Sequence, residues 1–454
     1  MQLRLGKKLV KKVKKTIPWV EHVVDDVGTA LDLNYTLEDL NVRVSQRGIC
    51  IFCRGTKMLC GKVRCPVMVK LYSLMKSRPL LGDTQIEGAS PPGVFVGRIG
   101  YPYVWAGPLI PPVGGDTTIF DLPEQWLERR IDEIVDFRLN LVRGRFMANV
   151  NKPDSGGKLM DLSRELVLSA SPVDAEAEFY RKPGSDFVVG SEVQPLGPSA
   201  PLKKLSIDYV RTDHRIEGAY RDGDLKAADA VLGLYGDGVP VSKIQRAFSV
   251  GLFGVEKQRR LVPTRWSITA VDSVISRILM EEKVKRSPVI NEYRIYESNY
   301  FDNRFIVLMM PSAWAYESIE AWYPGTSWNP GSSNIAMGGD WEGYHGRTTY
   351  AQIGGCYYAA RLAATEHLSE EGRQASVLVL REIHPGYIMP LGVWQVRENV
   401  RNALRQGYKK FNTMKESMAY ISGAFDINLK DWIDTSQLLK NELRQEKLTK
   451  YFGE

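Results

Sequence analysis

Four of the five cysteines fall within sixteen residues, "CIFCRGTKMLCGKVRC", as Cys50, Cys53, Cys60 and Cys65 in a C-x2-C-x6-C-x4-C spacing. Four thiolates close a tetrahedron around zinc, and the C-x2-C turn places two sulfurs on one side of the ion. Gly55 and Gly61 give the intervening loops freedom to wrap, while Lys57, Lys62 and Arg64 offset the excess negative charge of four thiolates on one divalent cation. Disulfides are the competing account. No export signal opens the chain, and clustered cysteines in a long intracellular chain favour metal. A closed set of four ligands predicts one structural zinc ion, because catalytic zinc keeps a position open. Cys356 has no near partner in the sequence and is expected as a small buried apolar residue.

At 454 residues the chain is too long for one ordinary core, so two or three domains are expected. A hydrophobic fraction of 44% and a charged fraction of 25% are those of a soluble globular protein. No apolar run is long enough to span a bilayer, which predicts a cytoplasmic protein with no membrane partner. The net charge of +7 is concentrated at one end. Arg4 and Lys7, Lys8, Lys11, Lys12, Lys14 and Lys15 carry it with no acid in residues 1–20, leaving a neutral body. That arm suits an amphipathic helix packed on the body, a contact to DNA phosphates, or a membrane surface.

The pattern of apolar residues predicts a mixed α/β (α+β), multi-domain protein with a small four-cysteine finger. The expected divisions are a basic arm at 1–20, the finger at 45–70, an α/β region at 71–285, a second α/β domain at 286–425 and a helical tail at 426–454. "VMVKLYSLMKS" and "SITAVDSVISRILMEEKVK" have helical spacing, and "LPEQWLERRIDEIVDFRLNLVRG" predicts one long helix stopped by Gly144. "LKAADAVLGLYGDGVPVSKIQRAFSVG" pairs two helical patterns across a Gly-Asp-Gly turn, as either a helix-turn-helix or an ordinary hairpin. "VINEYRIYESNYFDNRFIVLMMPS" and "ASVLVLREI" have the texture of strands, with "YAQIGGCYYAARLAATEHLSEEG" as a helix between them.

No P-loop, G-x-S-x-G or H-E-x-x-H is present. "GGDWEGYHGR" gathers Asp340, Glu342, His345 and Arg347, and "REIHPGY" places Glu382 and His384 at a strand end. Acids and imidazoles at loop edges suit a metal-dependent hydrolase or an acid/base pair, with one pocket around 340–347 and 382–384; loop architecture is the plain alternative. Arg78, Asp83 and Arg98 in "SRPLLGDTQ" and "GRIGYPYVWAGP" suit a pocket that grips phosphate or stacks a base, as a nucleotide-transferring enzyme needs. Alternatively Tyr101, Tyr103 and Trp105 pack a loop-rich interface.

The sequence closes on "RQEKLTKYFGE", in which Gln445, Leu448, Tyr451 and Phe452 are spaced as in ligands of sliding clamps. One helical turn lines up an aliphatic group and two rings as a plug for an apolar groove, with a Gln hydrogen-bonding beside it. Burying those three side chains contributes roughly 5 kcal/mol before association costs.

Taken in order, "CxxC…CGKxRCP", "SRPLLGDTQ", "GRxGYPxVxxGP" and this tail resemble the archaeal Nre family of DNA-repair proteins over nearly the whole chain. The resemblance implies an archaeal, nucleoid-associated factor of DNA-damage repair that binds the sliding clamp PCNA. It maps the family's finger onto Cys50, Cys53, Cys60 and Cys65, and its clamp (PIP) motif onto Gln445, Leu448, Tyr451 and Phe452. It supplies no catalytic residues.

Overall fold

The computed structural model describes residues 42–45, 52–53, 55–77, 84–188, 194–330 and 332–444. The arm at 1–20, Cys50, Arg78, Asp83 and the tail residues Gln445, Leu448, Tyr451 and Phe452 lie outside the described residues.

Alternating burial along short β-branched and aromatic runs builds a first sheet. The strand β1 (Val42–Ser45) pairs in parallel with β7 (Ser185–Val188) as a separate ribbon. The others, β2 (Gln85–Ser90), β3 (Val94–Val96), β4 (Tyr103–Ile110), β5 (Val142–Asn149), β6 (Val173–Phe179) and β8 (Ser199–Ile207), make one sheet in the order β2-β6-β8-β5-β4-β3. Its neighbours are antiparallel except β5 and β8. Accompanying helices are α1 (Pro66–Ser77), α2 (Ile131–Asn140), α3 (Lys158–Leu168), α4 (His214–Arg221), α5 (Ala227–Gly236), α6 (Val241–Ser249) and α7 (Thr264–Glu282). Inward residues such as Val104, Ala106, Phe146, Ala175 and Leu202 form one core with Leu166, Val231, Ile244 and Ile275 of the helices. The outward face is divided in charge. Near β2 and β6 it is acidic, with Glu87 directly opposite Glu176 and both exposed.

Two expectations change here. The long helix ending at Gly144 is cut to Ile131–Asn140, and Gly144 lies within β5. Pairing with β4 overrides the helical spacing: a Cβ on Gly107 would meet the Gly144 carbonyl oxygen at 1.8 Å, so the two strands approach without side chains between them. Before the helix, the Trp126 indole N–H donates to the Ile119 carbonyl at 2.5 Å and closes a stretch of two short 3-10 turns, Thr118–Asp121 and Pro123–Gln125. The α5–α6 pair is an ordinary hairpin. No residue of α6 is exposed, so it presents no recognition face.

From Phe305 to Met310, and from Ser376 to Ile383, every residue is buried, as in strands covered on both faces. They belong to a second sheet of β9 (Tyr293–Tyr300), β10 (Asn303–Met310), β11 (Ala315–Trp322), β12 (Ala336–Glu342), β13 (Ser376–Ile383) and β14 (Lys409–Phe411), ordered β12-β11-β13-β10-β9-β14. One face packs under α8 (Gly355–Glu371) and α9 (Trp394–Arg405) through Val307, Tyr316, Val377 and Val379. The other packs under α10 (Met414–Ala424), α11 (Leu429–Thr435) and α12 (Gln437–Arg444) through Ile306, Leu308, Ile319 and Leu380. The fold is thus mixed α/β. No helix among the described residues is long and apolar enough to cross a membrane.

An apolar cluster and a charged seam join the two halves. Leu71 and Met75 of α1 and Ile134 of α2 pack with Ile383, Tyr387 and Trp394, and Trp126 meets Trp394 edge-on at 5.2 Å. Arg397 of α9 donates to both oxygens of Asp272 of α7 at 2.9 and 3.0 Å, and Gln245 of α6 donates to the same carboxylate at 2.9 Å. Arg397 and Asp272 are 1% and 0% exposed, so neither charge has water to fall back on. Asp272→Ala leaves the Arg397 guanidinium buried without its partner. It is expected to cost about 3–5 kcal/mol in chemical denaturation, whereas changing an exposed pair such as Arg286–Glu282 should cost under about 1 kcal/mol.

Candidate functional site

The β9–β10 hairpin turns through Phe301 and Asp302, both at positive φ (58° and 56°). Two successive left-handed residues give a turn matched to the strand twist. That turn holds the loop after β13: the His384 N–H donates to the Asp302 carbonyl at 3.0 Å, and the Gly386 N–H donates to Asp302 Oδ2 at 2.7 Å. A Cβ on Gly386 would lie 2.5 Å from that carboxylate oxygen, so this approach needs glycine.

Held in this way, His384 sits over the last turn of β13. Its Nε2 lies 3.2 Å from Glu382 Oε2, and its ring stacks on Tyr323 at 4.2 Å. Glu382 is fully buried and also accepts from the Ile427 N–H at 3.0 Å and the Asp426 N–H at 3.4 Å. Asp426 completes the group, with an ion pair to Arg304 at 3.0 Å. Ligand atoms of Glu382, His384 and Asp426 all lie within 4.8 Å of one another, a set found once among the described residues. One imidazole and two carboxylates suit a divalent cation such as zinc or manganese, with Arg304 as competitor for Asp426. Burial, reinforced by Glu382 and Asp426, pushes the Tyr323 hydroxyl up to about 12, so it stays protonated at neutral pH. Beside the group, Ile427, Met337, Asp431 and Asp434 line an open hollow of about 610 Å³.

Asp340, Glu342 and His345 do not join this cluster, which overturns the single pocket around 340–347 and 382–384. Residues of a strand alternate between faces. Asp340 and Glu342 face α8, whereas Glu382 faces the 425–427 corner on the other side of the sheet. Asp340 accepts from Arg347 and from the Ile353 N–H, both at 2.9 Å. Glu342 pairs with Arg361 at 2.7 Å, both buried. These carboxylates are taken up in holding the 345–353 loop and α8. His345 is exposed, edge-on to Tyr344 at 5.7 Å.

Near the start of the described residues, the Thr56 and Lys57 N–H groups donate to the Cys53 carbonyl at 3.2 and 3.1 Å. Gly55, Met58 and Gly61 take positive φ, so the segment doubles back twice within seven residues. Burial pushes the Cys65 thiol up; N–H groups of Met68 and Val67 oppose this, and Cys60 and Cys53 add to the rise. The sulfurs of Cys53, Cys60 and Cys65 are not drawn together as a ligand set among the described residues, so the expected four-cysteine finger is not seen here. Cys356 is half-buried against the second core, and burial pushes its thiol far up, as for an inert small apolar residue. Arg98 is exposed on the β3–β4 loop, and Tyr101, Tyr103 and Trp105 are exposed as well.

Residues 59–329 match the family model described as archaeal Nre, N-terminal, and residues 342–451 match archaeal Nre, C-terminal. The chain belongs to the archaeal Nre family. The gap between the two matched segments, 330–341, holds all of β12 except Glu342 and so falls inside the second sheet. Among Nre relatives, the DNA repair protein NreB of Archaeoglobus fulgidus is 40% identical over 86% of this chain and 97% of its own. The DNA repair protein NreA of the same organism is 35% identical over 89% and 98%. The DNA repair protein NreA of Haloferax volcanii is 35% identical over 77% and 85%. No solved structure matches the chain.

Sequence reasoning marked Glu382 and His384 at their strand end but missed Asp302, Arg304, Tyr323 and Asp426. These arrive from three other places in the chain, the β9–β10 hairpin, the end of β11 and the 425–427 corner, and no local spacing announces them. Glu382→Ala strips the Asp426 and Ile427 N–H groups of their acceptor. It is expected to cost about 2–4 kcal/mol in urea unfolding, with Glu382→Gln retaining most of the wild-type value through its amide oxygen.

Proposed function

We propose that this Nre protein is a DNA-damage repair factor held at its site of action by the PCNA sliding clamp, which grips Gln445, Leu448, Tyr451 and Phe452. The observation that carries the repair role is the match to relatives named DNA repair proteins, aligned over 85–98% of their own lengths. Clamp binding is supported by the tail's spacing and by how the chain reaches it. Buried Glu317 of β11 accepts from the Gln437 and Leu438 N–H groups at 2.8 and 2.9 Å and from the Ser436 hydroxyl at 2.5 Å. A carboxylate at that position satisfies donors that the first turn of α12 leaves open. Leu438 and Leu439 are buried beneath, so the segment ahead of Gln445 is fastened to the body.

One structural zinc ion on Cys50, Cys53, Cys60 and Cys65 belongs to the same reading. When bound, it cross-links the knuckle. Gly61 of that knuckle lies against Gly325, whose added Cβ would stand 3.0 Å from the Gly61 Cα. The knuckle thereby braces the loop after β11. An enzyme built on Asp340, Glu342, His345 and His384 together has no support in this geometry, since they are split between two faces of the sheet.

Deleting residues 445–454 is expected to abolish co-elution with PCNA in size exclusion while leaving the unfolding midpoint within about a degree, because every described core residue is retained. Unchanged co-elution removes the tail from the reading. Purified protein is expected to hold one zinc per chain by metal analysis. Chelation should lower the unfolding midpoint by several degrees, an effect absent in Cys60→Ser, which should already melt early.

A further inference from the structure

Three segments remote in sequence are drawn together at one end of the first sheet. The Val150 N–H donates to the Pro102 carbonyl at 2.8 Å, the Leu261 N–H to the Val150 carbonyl at 3.0 Å, and the Val96 N–H to Thr264 Oγ1 at 2.8 Å. The segments 94–110, 142–152 and 259–268 contain Arg98, Arg143, Arg145, Lys152, Arg259, Arg260 and Arg265, and no aspartate or glutamate. Beyond residue 20 the chain is neutral as a whole, so this concentration is local.

Aromatic side chains stand on the same ground. Tyr101, Tyr103, Trp105 and Trp266 are each 39% to 58% exposed, with Met147 opposite Trp105 in register. Tyr101 and Trp266 lie 5.8 Å apart, and the Arg145 guanidinium lies over Trp105 at 5.3 Å. An isolated exposed ring needs no account, but four rings within a rim of one charge do. Tyr103 and Trp105 point to the same face about 7 Å apart along the strand. One flat ring slotted between two others needs about that gap, at contact distances near 3.5 Å on each side.

We propose that the outward face of β3, β4 and β5 binds single-stranded DNA, stacking bases on Tyr103 and Trp105 while Arg98, Lys152, Arg260 and Arg265 take the phosphates. Duplex DNA hides its base faces, whereas a single strand offers both the rings and the charge that this surface complements. A protein partner of acidic character would use the basic rim and leave the stacking geometry without a purpose. The choice of DNA over RNA rests on the repair reading above.

The test is fluorescence anisotropy of the full-length protein with a labelled oligothymidylate, with a duplex of equal length and with oligouridylate. Oligothymidylate is expected to bind tightest and to quench tryptophan fluorescence. Tyr103→Ala with Trp105→Ala should weaken it about tenfold or more, and Tyr103→Phe with Trp105→Phe should restore it. Replacing Arg98 and Arg265 by Gln should flatten the salt dependence. Binding unchanged in the double alanine variant with its melting curve intact overturns the proposal, as does a preference for duplex or for oligouridylate. If that variant melts early, loss of wild-type affinity in Trp105→Phe alone, without change in melting, also counts against stacking. PCNA co-elution of the double alanine variant separates the two readings. The clamp reading fails with tail deletion inert, whatever the oligonucleotides show, and this one fails on the oligonucleotides with clamp binding intact.

Discussion

The buried ion pair between Asp272 and Arg397 is the constraint on which the arrangement of the two sheets depends. Two charges removed from water are costly, and their attraction offsets that cost only when geometry is good and the other lone pairs are satisfied. Here Gln245 donates to the same carboxylate from a third helix. Close by, Arg401 binds Glu366 at 2.8 and 2.6 Å, and the Tyr235 hydroxyl donates to Glu366 at 3.0 Å. Each of these contacts crosses from one helix to another, and several cross between the halves. Apolar packing alone tolerates some sliding of α7 against α8 and α9; a seam of directional, dehydrated contacts does not.

A similar economy operates in the second sheet. Buried carboxylates repeatedly anchor backbone that arrives from elsewhere: Glu382 takes the 426–427 corner and Glu317 takes the start of α12. Arg381, on the opposite face, joins Glu320 at 2.6 Å, Asn303 and Gln395. The sheet therefore fixes loops through side chains rooted in its rigid strands. His384 owes its position to this device and to the Asp302 turn, which explains why the imidazole and its carboxylate partners meet at all.

What the sequence made legible was local. Apolar runs marked β10 and β13, helical spacing marked α7 and α8, and a strand-end position marked Glu382 and His384. Face was harder. "GGDWEGYHGR" and "REIHPGY" look alike as loose groups of acids and imidazoles, and only the register of β12 on β11 and β13 shows that they look away from each other. Residues 122–144 carry helical spacing into what becomes β5, because the reason for Gly144 lies in Gly107, far off in sequence. The rings of "GRIGYPYVWAGP" could be seen, but their exposure depends on which side of β4 is covered by helices.

The charge division across the first sheet, with Glu87 and Glu176 facing each other at its far side, has a consequence of scale. Adjacent strands are spaced about 4.8 Å apart, and three spacings separate β3 from β8, so the acid-free ground is only some 15 Å wide before the carboxylates of β6. Anything long and negative lying there has to run lengthwise or lift away, and its contact is rationed to a few repeating units. The molecule carries a ruler as well as a grip.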